Sequence, residues 1–174
     1  MIAGFPWPFF VPLVIHALAG LTTVVMGILT FTAPKQPGRH PTWGVRYLWA
    51  YTVVFFTATL LAIQRWPADA YLLGLATVGY GAALGSYGAR RYRLTGWMQR
   101  WLGNWWVVAH LCGMIGSYVV LLTAFYVDNA HLIPLLQRLP VLVFWVMPTL
   151  ITLPFLVRAL RRFAPRQPTS YADG

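Results

Sequence analysis

Four histidines are the side chains here best suited to chemistry: His16, His40, His110 and His131. His110 sits in the stretch WWVVAHLCGMIGSYVVLLTAFYVD, Trp105 to Asp128, with Gly113, Met114 and Ser117 at i+3, i+4 and i+7. Those spacings put all four on one helical face. Ala109, Gly113 and Ser117 form a small-xxx-small ladder along its edge, which lets a neighbouring helix approach closely. His16 heads a similar stripe, followed by Gly20, Thr23 and Gly27. Two such stripes can meet through interhelical hydrogen bonds. They can also flank a planar macrocycle, whose edge glycine admits, as in a b-type haem with histidine axial ligands.

Helical rise tests the second arrangement. A helix begun at Pro12 places His16 roughly 6 Å below one membrane surface, and His110 lies roughly 8 Å above the other. Across a core of about 30 Å they are on the order of 16 Å apart, or roughly 9 Å if the first helix begins at Trp7. Axial ligands of one iron share a level, so His16 and His110 do not pair. The same rise sets His16 level with Ser117, and His110 level with Thr22, Thr23 or Gly27. A structural hydrogen bond of about 1 kcal/mol is available to each there. The ligand pair that survives is His110 with His40, which the sequence places in the loop ahead of the second span. Structural and ligating roles both stay open, and no metal is specified.

Other chemistry is bounded by absence. No Asp or Glu falls in the interior of any span, Asp69 and Asp128 standing at span ends, which argues against a carboxylate proton relay or cation site and weakens a transporter reading. No serine–histidine–acid set, phosphate-cradling loop or Cys/His zinc spacing is present, so no catalytic residue is assigned. Three histidines can hold zinc, but no acid stands near to orient them.

The elements that must position these residues are membrane helices. Hydrophobic residues make up 59% of the 174 and charged ones 9%, against about 25% charge in soluble domains. One all-α membrane domain is expected, with spans at about 12–33, 44–64, 68–88, 105–128 and 139–162. The first stretch lacks a basic n-region and reads as a retained helix rather than a cleaved signal. Cys112 is the single cysteine, so no internal disulfide forms.

The net charge of +10 is carried by short loops. With five spans, eleven basic residues fall on one side and two, Arg65 and Arg138, on the other. The positive-inside rule then predicts a cytoplasmic C-terminus and an external N-terminus. Lys35, Arg39, Arg90, Arg91, Arg93 and Arg100 are candidates for anionic lipid headgroups on the cytoplasmic face. Nucleic acid is not an expected partner.

Leu94, Trp97, Met98, Trp101 and Leu102 repeat at helical spacing, predicting a short amphipathic helix in the inner interface. Leu132, Ile133, Leu135, Leu136 and Leu139 predict a rougher outer counterpart. Trp43, Trp105 and Trp106 join an inner aromatic belt, and Trp7 and Trp66 mark an outer one. Gly81 and Gly85, with Gly74 and Gly88, predict that the third span packs closely in the bundle centre. Pro148 and Pro154 should kink the fifth.

The motifs His16-xxx-Gly20, Gly38-Arg39-His40 with Gly44 and Tyr47, AHLCGMIGSYVVLLTAFYVDN and WVMPTLITLP together cover nearly the whole chain. In these it resembles the domain of unknown function 2306 family of predicted bacterial membrane proteins. Cys112 and Gly113 stand where that family often carries a basic residue. The resemblance implies a small helical bundle in the bacterial inner membrane and supplies no reaction. Two functions are expected. One is an accessory or interaction subunit of a larger membrane assembly, an electron-transfer complex among the candidates, acting through protein partners or as a homo-oligomer. The other is a small haem-binding or quinone-associated redox protein.

Overall fold

The structure is a computed structural model and describes residues 6–92 and 105–164. These residues form α1 (Trp7–Thr32), α2 (Arg39–Gln64), α3 (Ala70–Arg91), α4 (Trp106–Asn129) and α5 (Val141–Phe163). One 3-10 turn, Ala130–Leu132, extends α4, and no strand occurs among the described residues. Four of the helices, all but α3, are long and apolar enough to cross a membrane. The expected inner amphipathic helix, with Arg93 and Arg100, lies outside the described residues.

Local chemistry explains where the helices differ from expectation. Pro6 is an extended N-cap and a second proline follows in the first turn, so α1 starts at Trp7 and Pro12 lies inside it. Pro12 has no N–H to offer the carbonyl of Pro8, four residues back. Gln64 Nε2 donates to that carbonyl instead, at 3.2 Å. Gly38 takes a φ of 111°, a left-handed conformation that glycine adopts without penalty, and α2 begins directly after it. The start at Arg39 rather than 44 moves His40 from a loop to the first turn of a helix. No outer amphipathic helix follows α4: residues 133–139 are turns, with Pro134 among them and Pro140 directly after.

Helices adjacent in the chain pack against one another: α1 on α2, α2 on α3, α3 on α4 and α4 on α5. The core is Tyr47, Tyr51, Val54, Ala83, Tyr118 and Leu121. The α2 face that supplies it repeats at i, i+4 and i+7 from Tyr47. Buried threonines such as Thr23, Thr30 and Thr123 give their hydroxyls to the carbonyl one turn back, at 2.7, 2.7 and 2.9 Å. An apolar surrounding leaves the hydroxyl no cheaper acceptor.

Three glycines admit crossing side chains. Gly27 receives the ring of Tyr118, and Gly79 receives the Tyr51 hydroxyl. Gly113 lies against Ser86 and the Ala82 carbonyl, where α4 meets α3. Gly20, Gly81 and Gly85 were expected to pack as well, yet a Cβ at any of them meets nothing within 4 Å. Gly81 and Gly85 sit on the exposed side of α3, because Gly79, Ala83, Ser86 and Ala89 form its buried side.

Gly113→Ala would bring its Cβ to 2.7 Å from Ser86 Cβ and 2.9 Å from the Ala82 oxygen. It should cost about 1–3 kcal/mol, whereas Gly81→Ala should stay within about 0.5 kcal/mol of the parent. Thermal unfolding in detergent measures both, and equal losses would contradict the close approach of α3 and α4.

Candidate functional site

At one end of the bundle the last turn of α1, the first turn of α2, the end of α3 and the start of α4 come together. His40 and His110 meet there, with ring centroids 6.4 Å apart and planes at 86°. His40 Nδ1 is 2.9 Å from the Thr30 carbonyl oxygen. His110 Nδ1 is 3.1 Å from the Ser86 carbonyl oxygen. A carbonyl only accepts, so each Nδ1 carries the proton and in the neutral ring each Nε2 carries the lone pair. Ser86 completes a two-point clasp, its hydroxyl donating to the His110 carbonyl at 2.8 Å.

The surroundings are basic. Lys35 Nζ donates to the Thr30 and Phe31 carbonyls at 3.0 and 2.7 Å, closing the C-terminus of α1. Partial burial holds its ammonium below the usual lysine range. The charges of Lys35 and Arg90 act on both imidazoles. Arg39 and Arg91 are exposed at the same end.

His16 occupies the other half of α1. Its Nδ1 lies 3.0 Å from Thr57 Oγ1, which already donates to the Val53 carbonyl at 2.7 Å and so accepts from the ring. Fourteen residues separate His16 from Thr30, roughly 21 Å along the helix. His131 is exposed beyond α4, and its carbonyl accepts from Gln137.

Ser117 is fully buried and belongs to a tyrosine network at mid-bundle. Its hydroxyl donates to the Met114 carbonyl and accepts from the Tyr47 hydroxyl, both at 2.8 Å. Tyr51 donates to the Ser117 carbonyl at 3.2 Å.

Two expected partnerships are thus replaced. His16 bonds Thr57 rather than Ser117, because α1 packs on α2. His110 bonds Ser86 rather than Thr22, Thr23 or Gly27, because α4 packs on α3. Nothing in the spacing of the sequence marks Thr30, Thr57 or Ser86 as partners. Spacing offered one signal: Tyr47 and Tyr51 follow His40 at i+7 and i+11, on its face.

The described residues hold no group of three or more His, Cys, Asp or Glu able to bind a metal ion. The pair can therefore give a ligand two imidazole lone pairs in a basic setting. Comparison with known proteins adds nothing to this: no family model, curated protein or solved structure matches the chain.

Nitrogen-15 NMR of histidine-labelled protein should find both His40 and His110 protonated at Nδ1 and bare at Nε2. Ser86→Ala should leave the His110 tautomer unchanged, since the backbone carbonyl remains. A protonated Nε2 on either ring would contradict the assigned bonds.

Proposed function

We propose that this chain is an integral membrane subunit of an electron-transfer assembly and holds a b-type haem between His40 and His110. One observation carries the reading: two imidazoles from different helices, each fixed through Nδ1, stand 6.4 Å apart. A metal–imidazole bond is about 2.0–2.1 Å, so rings at this separation are near enough to serve one metal-centred group.

Ligand count and charge favour haem over a bare ion. Two protein nitrogens leave a bare ion short of ligands, whereas a porphyrin supplies four of its own. Lys35 and Arg90 repel a free dication and attract propionates. The carbonyl bonds at Nδ1 are the outer contacts that orient a ligating histidine and raise its basicity. A neutral Nε2 has no proton to give a quinone carbonyl, so the quinone reading is the weaker one.

A second reading keeps the histidines structural and makes the chain an interaction subunit. It is favoured by the absence, among the described residues, of any buried side-chain N or O atom without a partner. The outward Gly81–Gly85 edge would then meet a partner subunit or a second copy.

Both readings include α3 as a fifth span, an external N-terminus, the bacterial inner membrane and membership of the domain of unknown function 2306 family. The ordering of basic residues along the chain supports the orientation.

Protein purified from haem-supplied cells should show a visible haem band, lost in His40→Ala and in His110→Ala but kept in His16→Ala and His131→Ala. Absence of any band in folded parent protein would overturn the haem reading in favour of the structural one. For topology, a tag after Asp128 should be reachable from outside, and a reporter after Gly174 should be active only in the cytoplasm. The opposite labelling would reverse the orientation.

A further inference from the structure

The last turns of α5 carry Arg158, Arg161 and Arg162 at i, i+3 and i+4, all exposed. With Leu153, Pro154 and Val157 they line an open groove of about 680 Å³. Its two ends differ. Leu153, Pro154 and Val157 make an apolar floor on the side toward mid-helix, and the guanidiniums rim the side toward the helix end. Met147, Thr152, Leu156 and Leu160 are less exposed, so the groove lies on the face that α5 turns outward.

Among the described residues the charge of this rim has no acidic counter-ion close by. The described residues include two acids, Asp69 and Asp128, at the start of α3 and the end of α4. Both are at the opposite end of the antiparallel bundle. Arg162 lies over the Phe163 ring, 5.3 Å from its centroid, which leaves its charge in place. Cations are favourable at a helix C-terminus with no ligand at all. That accounts for the charge but not for an apolar groove leading into it.

We propose that this groove is a site for one anionic phospholipid, its phosphate held by Arg158, Arg161 and Arg162 and an acyl chain laid over Leu153, Pro154 and Val157. Guanidinium forks match phosphate oxygens in pairs. The apolar floor selects a lipid over free phosphate, which has nothing to place there. The site rests on the membrane-spanning reading of α5 and is independent of the haem.

The test is native mass spectrometry of protein extracted in mild detergent and reconstituted in nanodiscs of phosphatidylglycerol and phosphatidylcholine. The parent should retain phosphatidylglycerol in preference to phosphatidylcholine. The triple variant R158Q/R161Q/R162Q should retain at least fivefold less, while R46Q/R65Q/R138Q, with equal charge removed elsewhere, should retain it as the parent does. Leu153→Asn with Val157→Asn, which keeps the arginines, should also lose the lipid and serves if the triple variant does not fold. Equal loss in both arginine triples would reduce the site to general surface charge and overturn the proposal. Displacement of the bound species by millimolar inorganic phosphate would overturn it too, by identifying a free-anion site. Haem absorbance should be the same in parent and groove variants, which separates failure here from failure of the haem reading.

Discussion

A polar group facing lipid must find its partner inside the protein, because the hydrocarbon offers none. That constraint shapes most of the details in this bundle. Threonine hydroxyls turn back to the carbonyl one turn earlier. The carbonyl freed by Pro12 is met by Gln64 from α2. The histidines obey the same rule, and for them it has a chemical result. A ring that satisfies itself by donating Nδ1–H to a carbonyl is left with a bare Nε2. Structural necessity and ligand competence are therefore produced by the same bond, which is why a satisfied histidine is weak evidence against a binding role.

Side chains tie α4 to α1 and α2 across the middle of the bundle. Backbones pack closely between helices adjacent in the chain. Across the middle, Tyr47 reaches Ser117, and Tyr118 fills the space over Gly27 with Phe31 edge-on at 5.3 Å. Each tyrosine adds an aromatic surface and one hydroxyl that must be satisfied, so its position is fixed twice. At the other end, among the described residues, the rings of His40 and His110 and a basic fringe stand where the centre has tyrosines.

Helix number and order were legible in the sequence because long apolar runs broken by short basic loops have few alternative folds. That His16 and His110 stand at different levels was legible too, although His110 lies beside His40 near Thr30 rather than level with Thr22 to Gly27. Azimuth was not. Helical rise gives height but does not choose the neighbour, so both hydrogen-bond partners were assigned to the wrong helix. On α3, Gly74, Gly81, Gly85 and Gly88 share one face while Gly79 stands across the helix from them, and composition cannot say which side turns inward. The bulk of Tyr51 decides it by needing the space over Gly79. His40 was misplaced for a smaller reason: the left-handed Gly38 permits a tight turn and an early helix start.

The weak apolarity of α3 follows from where it sits. Among the four long apolar helices, α1 is the most apolar and the least buried within the chain, and α2 is the least apolar and the most buried. A side chain that faces lipid must be apolar, whereas one that faces another helix needs only to fit and to satisfy its own polar atoms. α3 lies between α2 and α4, and its buried positions are Gly79, Ala83, Ser86 and Ala89, small rather than greasy. At 22 residues it is roughly 33 Å long, enough for a bilayer core of about 30 Å. Its low hydropathy thus reflects small residues on the packed face and glycines on the outward one, and its length still suits the proposed fifth span.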